Sequence, residues 1–198
     1  MFLYTSIGKF QGLIRVSRLS ASDTAWVDQA AEWTENKWGY IRGYPGIEKR
    51  KGIMRDLISD PINQFFMVTY ANQPIGMFAL SDYSSDLFQD AAATIKELKY
   101  FYVAISFRSM GIGSSMLAKI KEKAKEIGAD MLVLDTLNPN LNQFYKKHGA
   151  KEVVDSQFFG QPTTLFRMDI NTDISDDEMA NSVFAQSKVA RKLSACRK

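Results

Sequence analysis

With 198 residues, 45% of them hydrophobic, the chain has enough apolar mass for one sizeable core, so a single domain, with room for a tail, is expected. Its 25 basic and 22 acidic residues are interspersed and leave a formal charge of only +3, too mild a balance to argue for nucleic acid. One cysteine, Cys196, excludes an internal disulfide and a cysteine metal site, and no apolar run approaches the length of a membrane span.

Residues 1–13 include Phe2-Leu3-Tyr4 but are interrupted by Gly8, Lys9 and Gly12 and lack a secretory core, so a cytoplasmic protein is expected. Leu13 to Leu19 alternates as a first strand. Ser20 or Ser22 then caps a helix whose Trp26, Ala30 and Trp33 share one side. Lys37 to Gly46 sets Trp38, Tyr40 and Tyr44 among Gly39, Gly43, Pro45 and Gly46, which reads as an aromatic loop. A short helix follows from Ile47 to Ser59, with Ile47, Met54, Leu57 and Ile58 inward and Lys49-Arg50-Lys51 as a solvated basic face.

Phe65 to Tyr70 and Ile75 to Leu80 bracket the turn signal Ala71-Asn72-Gln73-Pro74 and form a hairpin. Ser81 to Thr94 is mixed and polar, a loop or short helix. Lys151 to Val154 and Thr164 to Ile170 read as the last two strands, joined across Phe158 to Pro162. From Asn171 onwards acidic residues come first and basic ones last, which suits a helix from about Asp176 to Leu193. The expected organisation is therefore a domain over 1–170 with a charged helical extension over 171–198. The element order gives an α/β fold, a mixed sheet with helices on both faces.

The densest chemical signal lies between Glu97 and Tyr145. Tyr100-Phe101-Tyr102-Val103 is a strand, and Arg108-Ser109-Met110-Gly111-Ile112-Gly113-Ser114 leads from it into a helix lined by Met116, Leu117, Ile120, Ala124 and Ile127. Such a turn aims unpaired N–H groups and the positive end of a helix dipole at one point, which suits a diphosphate. A nucleoside triphosphate loop would need a lysine after Gly113, where Ser114 stands. A dinucleotide turn would need a small residue at Met116; Asp135 is near the spacing of its ribose-binding acid, so that reading stays open.

A second motif, Asn138 to Gly149, follows the strand Met131 to Thr136. Together, Arg108-x-x-Gly111-x-Gly113 and Asn138-x6-Tyr145-x3-Gly149 resemble the GNAT superfamily of acyl-CoA-dependent N-acyltransferases. The resemblance covers roughly Ile14 to Met168 in element order, with motifs only from Glu97 to Gly149. Leu141 and Ala150 depart from it, since many relatives carry a small residue and a phenylalanine there.

The resemblance implies an enzyme that moves the acetyl group of acetyl-CoA to a primary amine by direct attack. Phe101, Tyr102 and Val103 would pair with the pantetheine arm. Arg108, Ser109, Met110, Gly111, Ile112, Gly113 and Ser114 would hold the pyrophosphate, and Asn138 the pantetheine amides. Glu97 would be the general base and Tyr145 the acid toward the departing thiolate. Trp38, Tyr40 and Tyr44 would lie over the acceptor, a small amine; a protein lysine or N-terminal acceptor, or a non-catalytic acyl-CoA- or partner-binding domain, are the alternatives. No metal, nucleic acid or membrane partner is expected, and a homodimer is left open. His148 is read as packing near Gly149, and Cys196, in a polar tail without a paired base, as no nucleophile.

Overall fold

The computed structural model describes residues 14–88 and 93–170. The expected C-terminal helix lies outside them, as do residues 1–13 and Cys196. Among the described residues, seven strands and four α-helices form in the order β-α-α-β-β-β-α-β-α-β-β, as the sequence implies. The described residues divide into two compact units, one built from the chain between Ile14 and Asp82 with Glu97–Lys123, the other from the described part of Tyr83–Lys96 with the chain between Ala124 and Ile170. No helix among the described residues is long and apolar enough to cross a membrane.

In the first unit, β1 (Ile14–Arg18), β2 (Asn63–Tyr70), β3 (Gln73–Asp82) and, from Glu97 on, β4 (Ile95–Val103) lie side by side in that order. β2 and β3 pair antiparallel, with Phe66 opposite Phe78 and Met67 opposite Met77. Their turn is shorter than the sequence suggests. Ala71 and Asn72 both take positive φ, 47° and 63°, so a two-residue turn suffices and Gln73-Pro74 joins the strand. Pro74 is tolerated because the register shifts between Val68 and Thr69, where a bulge interrupts the ladder.

β2 and β3 are buried on both faces. Phe65, Met67, Met77 and Ala79 point into a cluster with Val27, Ala30, Ala31 and Trp33 of α1 (Thr24–Trp38) and with Met54 and Ile58 of α2 (Ile47–Ser59). On the other face Gly76 meets Met116 of α3 (Ile112–Glu126), which buries Ile112, Met116, Leu117 and Ile120. A Cβ on Gly76 would stand 2.5 Å from the Tyr102 carbonyl oxygen and 2.7 Å from Met116 Cε. The side chain can retreat, but the β4 backbone cannot. Gly76→Ala is therefore expected to cost about 2 kcal/mol, read as a lower midpoint in urea with an unchanged m-value.

Three local features differ from expectation. The residue at the start of α1 is Asp23, not Ser20 or Ser22; its carboxylate accepts from the Ser20 N–H at 2.8 Å, so it closes the preceding turn and no side chain caps the helix. The basic trio is not a uniform wet face. Lys49 is exposed, but Arg50 is 2% exposed, with Nε 2.8 Å from Glu35 Oε2. Ile47, expected inward, is 37% exposed at the first turn of α2.

The second unit holds β5 (Met131–Leu134), α4 (Asn142–Lys147) and the hairpin of β6 (Lys151–Phe158) and β7 (Gln161–Asp169), with β7 between β5 and β6. Phe159 and Gly160 alone make this turn, both at positive φ, so the two strands run further than their sequence pattern suggests. Phe88, Ile95, Met131, Val133 and Leu165 form its core.

Candidate active site

The phosphate-type turn forms where the motif stands. β4 ends at Val103, the Ala104 N–H donates to the Ile75 carbonyl at 2.8 Å, and a 3-10 turn over Ile105–Phe107 carries the chain to Arg108. Ser109 and Gly111 then take left-handed φ, 61° and 78°, and α3 begins at Ile112. That conformation is free for Gly111 and costs Ser109 about 1 kcal/mol, strain of the kind found where backbone is aimed at a ligand. Gly113 lies inside the first turn of α3, where it contributes bareness and not an unusual backbone.

Helix geometry leaves the N–H groups of Ile112, Gly113 and Ser114 without intrahelical acceptors. Arg108, Ser109 and Met110 are exposed around them. No acidic residue occurs between Glu97 and Glu122, while Lys99, Arg108, Lys119 and Lys121 do. The donor set therefore fits a diphosphate. Arg108 folds back onto β4, with Nε 2.9 Å from the Val103 carbonyl and its guanidinium 5.2 Å from the centre of the Tyr102 ring. The unit thus joins Arg108 to the strand expected to meet the pantetheine arm.

On the face covered by α1, aromatic rings gather. Trp38 is the last residue of α1 and not a loop residue, and its ring stands edge-on to Tyr100 at 5.9 Å and Tyr102 at 6.1 Å. Trp33 stacks on Tyr102 at 5.1 Å, and Phe65 meets Tyr100 at 5.2 Å. Tyr100 is a residue the sequence reading missed: it sits inside β4 at φ 52°, a strained position for a non-glycine. Its aromatic run signalled only a strand. Gly39–Arg42 forms a 3-10 turn, Tyr40 and Tyr44 are 56% and 64% exposed, and the Tyr44 ring covers Gly39, where a Cβ would come within 2.8 Å of Cδ1. Glu97 is the third residue of β4, its carboxylate 2.8 Å from Lys99 Nζ, so an approaching ammonium would share it with that lysine.

In the second unit Asn138 opens a 3-10 turn, its side-chain oxygen accepting from the Asn140 N–H at 3.1 Å, so this oxygen is committed to the local cap. Tyr145 lies in α4, 5% exposed, against Phe144 and Phe166. Burial pushes its phenol well above the ordinary tyrosine range, and the charge of Asp135 pushes it the same way. Asp135 in turn accepts from the Thr163 hydroxyl at 3.2 Å. His148 Nδ1 is 2.7 Å from the Phe144 carbonyl oxygen, and its ring lies against Phe144.

The direction of that shift has a consequence in alkaline solution. A phenol whose folded-state pKa is raised leaves stability intact below its unfolded value, about 10, and costs stability as pH climbs beyond it. Absorbance titration should therefore show the Tyr145 tyrosinate, identified by difference against Tyr145→Phe, arising only with unfolding. Asp135→Asn should bring that signal to lower pH.

The sequence profile of the acetyltransferase (GNAT) family matches residues 21–150. The chain belongs to the GNAT family of acetyltransferases. An uncharacterised N-acetyltransferase of Chlorobaculum tepidum is 30% identical to this GNAT protein over 123 residues, 60% of the chain and 69% of that relative. Among solved structures, an aminoglycoside 6'-N-acetyltransferase complexed with coenzyme A superposes with TM-score 0.65 at 14% identity, covering 81% of this chain and 99% of the other. The spermidine/spermine N-acetyltransferase SpeG of Vibrio cholerae gives TM-score 0.61 at 15% identity, covering 80% and 95%. These two likenesses show the GNAT fold.

Proposed function

We propose that this GNAT protein transfers the acetyl group of acetyl-CoA to the primary amine of a small molecule, by direct attack of the amine on the thioester. The observation that carries the reading is the turn at 108–114, exposed from Arg108 to Met110, in which left-handed Ser109 and Gly111 open α3. Acetyl-CoA would supply the activated acetyl group, its diphosphate held by Arg108 and the N–H groups from Ile112 to Ser114. The main chain of Phe101, Tyr102 and Val103 would align its pantetheine arm, with the Asn138 amide bonding to that arm.

An alkyl ammonium has a pKa near 10.4, so at neutral pH only about one in two thousand is nucleophilic, a penalty of roughly 4 to 5 kcal/mol. A base is needed, and Glu97 is our candidate. Its bond to Lys99 leaves one carboxylate oxygen able to take the amine proton. At the other end the thiolate needs a donor. Tyr145 is held as a neutral phenol by burial and by the charge of Asp135, and it is our candidate for that donor. Trp38, Tyr40 and Tyr44 would roof the acceptor.

Thiol release from acetyl-CoA over a panel of small amines and of lysine and N-terminal peptides tests the reading. Turnover with small amines is expected; turnover with peptides alone would overturn the small-molecule assignment. Arg108→Ala should weaken acetyl-CoA binding about tenfold, as loss of one charge-assisted contact to phosphate does, with the acceptor KM little changed.

A further inference from the structure

We propose that the acceptor is a monoamine, a single ammonium carried on an aromatic or branched apolar body, and that polycations are poor substrates. The inference rests on the proposal that Trp38 to Tyr44 meets the acceptor, and goes further by naming the acceptor's class.

The first support is the surface itself. Trp38 and Tyr100 stand edge to face against the cluster that contains Tyr102, and Tyr40 and Tyr44, which follow Trp38 in the chain, are 56% and 64% exposed. Such a surface offers apolar area and ring faces. One cation is welcome on a ring face, but several desolvated cations each need an acceptor of their own.

The second support is the state of the carboxylates. Glu35 is pinned between Arg50 Nε at 2.8 Å and the Gly46 N–H at 3.1 Å, and its side chain is only 13% exposed. Glu48 sits on Lys51 at 3.1 Å, and Asp28 is shared by Lys51 at 3.3 Å and Arg55 at 3.2 Å. Glu97 already faces Lys99. These four carboxylates, on α1, α2 and β4, are thus each engaged by a cation of the protein.

The third support is the sign of the remaining charge. From Glu35 to Lys51 the chain carries five cations, Lys37, Arg42, Lys49, Arg50 and Lys51, against Glu35 and Glu48, a formal excess of three. Lys37 and Lys49 are exposed on either side of the aromatic segment. A linear polyamine or an aminoglycoside would approach against this charge, whereas a neutral body bearing one amine would not.

The test is thiol release from acetyl-CoA by the full chain, with an arylalkylamine, a branched alkylamine, spermidine and an aminoglycoside as acceptors. We expect kcat/KM for the arylalkylamine to exceed that for spermidine by about tenfold or more, and Trp38→Ala to lower the former by about tenfold. Reversing the charge of the flanking lysines, in Lys37→Glu with Lys49→Glu, should raise spermidine turnover about threefold at low ionic strength, the gain shrinking as salt is added. Preference for spermidine or the aminoglycoside in the native protein, or charge reversal that leaves the ratio unmoved, overturns the inference while the acetyltransferase reading stands. Acetyl-CoA binding without turnover of any amine would overturn both.

Discussion

Tyr145→Phe is expected to lower kcat by about 10²-fold or more while leaving the affinity for acetyl-CoA nearly unchanged. The substitution deletes one oxygen from a side chain that is 5% exposed and held between aromatic neighbours, so the packing of α4 should survive. In the proposed role, what would be lost is the proton donor. A tyrosine phenol of pKa about 10 is a weaker acid than a thiol of about 8.5, and the burial of Tyr145 widens that gap. Full proton transfer before the C–S bond breaks is therefore uphill, and in the proposed role the phenol would act as a hydrogen-bond donor to the thiolate as charge develops. Single-turnover kinetics with saturating acetyl-CoA separate this loss from binding. A rate within a few-fold of the native protein would remove Tyr145 from the chemistry.

Arg50→Ala is expected to cost about 3 kcal/mol, the largest stability loss foreseen here. Removing the guanidinium strands the Glu35 carboxylate beneath α2, with only the Gly46 N–H left to it among the bonds described. At this chain length about 3 kcal/mol corresponds to a fall of roughly 6 to 12 °C in Tm. The pair itself need not be strongly stabilising, because Arg50 Nη2 is buried without a hydrogen-bond partner among the described residues. A double replacement, Glu35→Met with Arg50→Met, should therefore recover most of the loss. Calorimetric melting of the two single variants and the double variant measures the coupling; equal, additive losses would contradict it.

Arg50 also marks where sequence reading stops. Lys49-Arg50-Lys51 looks uniform in one dimension, and only the packing of α1 on α2 turns the middle residue toward Glu35, fifteen positions away. Local patterns fared better. The period of α3, the hairpins and the two glycine-bearing motifs are short-range signals, and these elements formed at the expected places, the hairpin strands with longer ends. Both hairpin turns came out tighter because Asn72 and Gly160 accept left-handed backbone, which let the polar flanks join the strands. Trp38 belongs to α1 because the glycines that suggested a loop begin only after it. Tyr100 was hidden because a positive φ inside a strand leaves no compositional trace. Nor does any spacing reveal that Asp135, which mimics a ribose-binding acid by position, acts on Tyr145 from the end of β5.

The turn from Arg108 to Ser114 is the proposed seat for the linked phosphates of a coenzyme. Titration calorimetry of the full chain with acetyl-CoA, CoA, NAD and ATP tests it most directly. Saturable binding of acetyl-CoA and CoA, weakened about tenfold by Arg108→Ala, is the predicted result. Saturation by NAD or ATP, with acetyl-CoA giving no heat at millimolar concentration, would contradict it.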